Sequence, residues 1–147
     1  MKPVTYAMQF RGRGTPGESG AVEARSTAPS SRLVTTVGPD GIGFALERAG
    51  EGEAVFESEV RFSEGTSFDE WGTITFGAGN RLDFRTIGEG YLAGTPDPDV
   101  KHGTVMWEVT GGEGAFAGAS GLITSNFMVD GSGEVTDNQF GVIWLNE

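Results

Sequence analysis

Apolar residues in this chain recur at every second position and rarely with the 3.6-residue period of a helix. Successive side chains of a strand point to opposite faces, so the pattern builds sheets with one dry and one wet side. In the first segment Val4, Tyr6, Met8 and Phe10 share a face, with Thr5, Gln9 and Arg11 behind them. Over 21–28, Val22 and Ala24 alternate with Glu23 and Arg25. A β-branched stretch over 32–37 ends at Gly38-Pro39-Asp40-Gly41, a strong turn signal, and Ile42, Phe44 and Leu46 resume the alternation. A break is expected at 49–52. Phe56, Val60 and Phe62 then oppose Glu57, Glu59 and Arg61. Phe68, Ile74 and Phe76 lead into the hairpin Gly77-Ala78-Gly79-Asn80, and Leu82 and Phe84 face inward against Arg81, Asp83 and Arg85. Thr95-Pro96-Asp97-Pro98-Asp99 is an irregular loop, because its prolines cannot donate ladder hydrogen bonds. Three further strands are expected over 103–110, 120–129 and 134–145, the last two joined by Asp130-Gly131-Ser132-Gly133.

The pattern predicts an all-β fold of about eight to ten short strands in a single domain over residues 1–147, with no helix and no linker. Glycine decides between barrel and sandwich. The chain has 25 glycines, more than twice the usual share of roughly 7%. Gly72, Gly88, Gly90 and Gly141 fall within or beside strands, where a missing side chain lets a strand bend and coil. The expectation is therefore a single antiparallel eight-stranded β-barrel.

Several functions are excluded by composition. With no cysteine there is no disulfide framework, zinc-thiolate site or iron–sulfur cluster. A net charge of −11 leaves no basic footprint for nucleic acid or anionic membranes. The apolar run Val142 to Leu145 is far shorter than the ~20 residues that span a bilayer, and no apolar leader precedes the first strand. The chain reads as cytoplasmic. Gly112 to Ala117 imitates a nucleotide fingerprint, but a strand follows it where that motif needs a helix. Asp97, Asp99 and Asp130 lack calcium-loop spacing, the single histidine His102 rules out a His-rich metal site, and no nucleophile motif occurs. No metal and no cofactor are expected.

The segment Gly112-Glu113-Gly114-Ala115-Phe116-Ala117-Gly118-Ala119-Ser120-Gly121 reads G-x-G-x-F-x-G-x-x-G between two strands. Together with Gly72-Thr73-Ile74-Thr75-Phe76 and Gly88-Glu89-Gly90 it resembles the allene oxide cyclase-like and dirigent-like barrel superfamily, over roughly residues 53 to 145. The resemblance implies an eight-stranded antiparallel barrel, often oligomeric, with an apolar cavity. Members include cyclases and proteins that guide stereochemistry. None of their catalytic residues carries over to a position here.

Strand parity singles out one acid. Glu70 shares its face with Phe68, Gly72, Ile74 and Phe76, whereas Glu57 and Glu59 lie on the opposite face of their strand. Inside an apolar barrel a carboxyl has a raised pKa and can exchange a proton near neutrality. At the barrel mouth, or flipped by a bulge beside Trp71, it would be an ordinary wetted acid. Tyr6, Ser58, Thr86, Ser125 and Asn138 are further candidates to line the interior and orient a ligand, Asn138 on the condition that Phe140, Val142 and Trp144 also turn inward. The last strand is apolar on both sides, with Ile143 and Leu145 opposing those three. Its second face calls for a cover, either a homo-oligomer contact through the C-terminal strand or the N-terminal arm. The expected function is binding of a hydrophobic small molecule in the lumen, in its enzymatic form as a cofactor-free cyclase or isomerase with Glu70 moving a proton. The alternative is a non-catalytic barrel whose large inward residues simply fill the core. A cavity of ~300 Å³ or more with Glu70 on its wall would favour ligand chemistry.

Overall fold

The computed structural model describes residues 1–146, with backbone alone at 32, 33, 49, 50 and 51. The strands are β1 (Lys2–Pro16), β2 (Val22–Gly38), β3 (Gly41–Phe62), β4 (Ser67–Phe76), β5 (Arg81–Thr86), β6 (Gly90–Gly94), β7 (Val100–Glu113), β8 (Ser120–Asp130) and β9 (Glu134–Leu145). All pairings are antiparallel. They run β3-β2-β1-β9-β8-β7-β5-β4, and β4 pairs back onto β3, which closes an eight-stranded barrel. The short β6 bridges β4 and β7 at one end. Closure removes the unpaired edges that make open sheets prone to aggregate.

The alternation read from the sequence becomes the inside and outside of this wall. Met8, Phe10, Phe56, Phe68, Ile74, Leu82, Phe84, Val105, Trp107, Ile123 and Ile143 form the core. The Phe84 and Trp107 rings lie 4.6 Å apart and the Phe56 and Phe84 rings 5.2 Å, so aromatic packing plugs the middle of the barrel. Two glycines make room for such rings. A Cβ at Gly141 would lie 2.3 Å from the Tyr6 ring, and one at Gly90 would lie 2.2 Å from the Phe68 ring. Their role is to leave volume for an aromatic neighbour, besides any bending of the strand.

The break expected at 49–52 is a bulge within a single long strand. The β2–β3 ladder steps from Pro29↔Glu53 to Ser31↔Arg48. The pair then continues as a two-stranded ribbon to Gly38↔Gly41, past the last residues that β1 and β4 pair with. The glycine-rich stretch after β7 forms one short turn of 3-10 helix, Gly114–Phe116, and Phe116 packs against the core.

The final strand has the opposite orientation to the one that Asn138 required. Asp137, Gln139, Gly141 and Ile143 point inward, while Phe140 and Trp144 are exposed on the outer wall. The β8–β9 hairpin sets this by pairing Ser125 with Gln139 and Asn126 with Asn138. Directly paired residues share a face, so an inward Ser125 demands an inward Gln139.

Candidate functional site

Above the aromatic plug the barrel opens into a cavity of about 460 Å³. Its rim is formed by the end of β1 (Arg13 to Pro16), Phe62 at the end of β3, and the Asp130–Gly133 hairpin. Deeper walls carry Val60, Phe68, Leu92 and Phe127, and the buried end carries Phe56, Ser26, Ser125, Glu70 and Asp137. The cavity is thus apolar around its sides and acidic at its floor.

Glu70 reaches this floor because β4 keeps strict parity. It pairs across from Val60, between Phe68 and Gly72 on the same strand, and no bulge intervenes at Trp71. Only 6% of it is exposed. Its Oε2 accepts a hydrogen bond from Ser58 Oγ at 2.6 Å. Burial pushes its pKa up to about 8, and the nearby Asp137 carboxyl adds to the rise, while the Ser58 hydroxyl works against it. At neutral pH Glu70 is mainly the neutral acid. It carries a proton into an apolar cavity, where it can donate a hydrogen bond or the proton itself.

Asp137 is the floor residue that parity on β9 alone did not single out. It is 5% exposed, and its Oδ1 accepts from Ser125 Oγ at 2.5 Å while Oδ2 accepts from Gln139 Nε2 at 2.8 Å. Gln139 Oε1 in turn accepts from the Tyr6 hydroxyl at 3.0 Å. Burial raises the Asp137 pKa to about 6, against the lowering effect of the Gln139 and Ser125 hydrogen bonds. Burial, followed by the Asp137 charge, lifts the Tyr6 phenol well above its ordinary value, so Tyr6 stays protonated and serves as a donor. The signal for Asp137 lay in the hairpin register, which ties its strand to the inward row of β8.

The other sequence candidates divide. Ser125 lies on the cavity wall. Ser58 and Tyr6 are off the wall and act through the carboxyls, Ser58 on Glu70 and Tyr6 through Gln139. Thr86 is spent on backbone: its hydroxyl accepts from the Glu70 N–H at 2.8 Å and donates to the Glu70 carbonyl at 2.7 Å, fixing the strand that presents the acid. Asn138 is exposed and accepts from Gln9 Nε2 at 3.0 Å on the outer wall, away from the lumen. The Trp107 indole N–H is close enough to Glu70 to lower its pKa slightly, yet it makes no hydrogen bond and is buried.

At the rim, Asp130 accepts from the Ser132 N–H and hydroxyl and from the Glu134 N–H, at 2.7–3.0 Å. Those bonds, the Ser132 hydroxyl first, hold its pKa low and lock the hairpin. Arg13 pairs with Glu134 at 3.4 Å. His102 is exposed on β7. Among the described residues, no three His, Cys, Asp or Glu side chains gather as a metal site, and no helix is long and apolar enough to cross a membrane.

Fold and site together define a class: a closed antiparallel β-barrel, plugged at its middle and open at one end onto an apolar cavity floored by two buried acids. Comparison with known proteins adds no closer assignment, since no family model, curated protein or solved structure matches the chain.

Proposed function

We propose that the barrel binds a hydrophobic small molecule in its lumen and that Glu70 is its proton-carrying group. The observation behind this reading is the cavity of about 460 Å³ with apolar walls and the Glu70–Asp137 pair at its floor. Its size falls within the range of ligand pockets, ~300–1,000 Å³, and apolar walls with a few convergent polar groups are what such pockets have. In the catalytic form of the proposal the protein is a cofactor-independent cyclase or isomerase. Ring closure or a double-bond shift within one molecule conserves atoms and electrons. It needs a group that lends a proton to a ligand oxygen and recovers one, and a wall that fixes the reacting conformation. Glu70 fits the lending role at neutral pH, and Asp137, ionised above about 6, fits the receiving one. Membership of the allene oxide cyclase-like barrels is part of this proposal, supported by the eight-stranded closure and by the turn that carries Phe116 onto the core.

A non-catalytic binder is the second reading, favoured by the aromatic plug that fills the middle of the lumen. Native mass spectrometry of freshly purified protein, followed by turnover assays on retained species and a hydrophobic metabolite library, separates the two. Turnover abolished in Glu70→Gln with binding retained supports catalysis. Binding without turnover in the wild type leaves the binder. No ligand from either source overturns the proposal.

We also propose self-association through the outer face of β9. Phe140 and Trp144 stand there 45% and 42% exposed, beside Leu122 of β8 at 50%. An apolar cluster on the wet side of a barrel wall is a common mark of a subunit contact.

A further inference from the structure

The most exposed large apolar residues lie on the ribbon that continues β2 and β3 beyond the barrel. Val37, Ile42 and Phe44 are 80%, 77% and 74% exposed, and Leu46 is 50% exposed. Val37 pairs with Ile42 and Thr35 with Phe44, so these side chains share one face, and no charged residue sits among them. The ribbon lacks a neighbouring strand on either edge: β1 pairs with β2 no further than Thr27, and β4 with β3 no further than Ala54. A lone two-stranded ribbon is marginally stable in water and needs a surface against its apolar face.

A matching surface exists on the barrel itself. Leu122, Phe140, Trp144 and Met106 are 50%, 45%, 42% and 40% exposed on the outer wall of β7, β8 and β9. Leu122 pairs with Val142, and Thr124 lies between Phe140 and Met106, so these residues form one continuous outward patch. Glu108 at its edge is neutralised by Arg85. The patch is about as wide and as long as the apolar face of the ribbon, two to three strands by about five residues. Within one chain the two surfaces remain apart and both stay exposed.

We propose that the ribbon of one copy packs face to face on the β7–β8–β9 patch of a second copy, and the reverse, in a two-fold dimer. This rests on the self-association reading above and supplies its missing half, the surface that covers β9. The areas fit. From these exposures the ribbon face offers roughly 500 Å² and the patch roughly 400 Å², so two reciprocal contacts hide at most about 1,800 Å², within the range of a stable dimer. Sheet-on-sheet packing at ~10 Å provides the geometry and two-fold symmetry lets both contacts form at once. The acidic chain, at −11, favours a protein surface over an anionic membrane as the cover. The arrangement also suits the lumen. The ribbon and the Trp144 end of β9 lie at the end of the barrel opposite the Phe62 and Asp130–Gly133 rim, so the cavity mouth stays open.

The full chain has no cysteine, which makes cross-linking clean. Wild type is expected to be a dimer by light scattering at micromolar concentration. Phe44→Lys on the ribbon and Leu122→Lys on the patch should each weaken it about a hundredfold or more, with unchanged circular dichroism. A mixture of the two variants should recover association, because one intact ribbon still meets one intact patch. Single-cysteine variants Phe44→Cys and Leu122→Cys should cross-link to each other when mixed, through a short bis-maleimide, and poorly to themselves. A dimer that survives Phe44→Lys, or Phe44→Cys cross-linking mainly to itself, overturns the ribbon-on-patch contact while leaving the β9 reading standing. A wild-type monomer at every concentration overturns both.

Discussion

Replacing Glu70 by glutamine tests the buried acid without reference to any ligand. In the folded protein the Glu70 pKa lies near 8, against an ordinary value of 4.5 expected when unfolded. Between those two values the folded state holds a proton that the unfolded state releases, so stability falls as pH rises through this window. It is highest below about 4.5 and has lost the full contribution above about 8. At 1.36 kcal/mol per pH unit, the loss is on the order of 5 kcal/mol across the window. Glutamine has nearly the same shape and can still accept from Ser58, but its amide adds a buried donor in need of a partner, a cost of about 1–2 kcal/mol. The variant should therefore be slightly less stable than wild type at pH 5 and more stable by about 3 kcal/mol at pH 9, with the curves crossing near pH 6. Urea unfolding followed by circular dichroism at half-unit pH steps measures this. Asp137 contributes a similar fall in both proteins below about pH 6, so the difference between the curves isolates Glu70. Parallel curves from pH 5 to 9 would refute a protonated, desolvated Glu70 and the proton role built on it.

Other substitutions test the surrounding structure. Gly141→Ala sets a methyl group 2.3 Å from the Tyr6 ring and should destabilise by about 2–4 kcal/mol in thermal or urea unfolding. Gly131→Ala, in open space on the β8–β9 turn, should change little. Gln139→Leu strands the Tyr6 hydroxyl and one oxygen of Asp137 and should cost about 2–3 kcal/mol, while Asn138→Ala on the outer wall should stay within about 0.5 kcal/mol. If the two cost the same, the register of β9 is wrong. Thr86→Val removes both hydrogen bonds to the Glu70 backbone and should cost about 1–3 kcal/mol, with Thr86→Ser restoring most of it.

Much of the architecture was legible in local patterning. Alternation placed the strands, and glycine and asparagine marked the turn after Phe76. Parity put Glu70 among Phe68, Gly72 and Ile74, where the structure buries it. These are local properties: side chains two apart on a strand share a face whatever the strand packs against. Parity, however, fixes faces only relative to one another. On β9 both rows are apolar, so hydrophobicity cannot choose between them, and expecting Ser125 and Asn138 together inside conflicts with the hairpin that joins their strands. The hairpin pairs Ser125 with Gln139, and that register brings in Asp137. Thr86 has inward parity too, but its hydroxyl is consumed by the Glu70 backbone, an interaction between separate strands that one strand's pattern does not contain.

By itself, then, the sequence determined an antiparallel barrel of alternating strands and an acid on the apolar face of β4, and the structure decided that this acid is buried. The tertiary structure alone decided that aromatic side chains plug the middle of the lumen and leave one end open, that a second acid shares its floor, and that the β2–β3 ribbon runs on past the wall. The physical reason is that volume, desolvation and exposure are sums over neighbours from distant parts of the chain. A strand's pattern records which way its side chains point relative to each other, and only closure of the barrel determines what they meet.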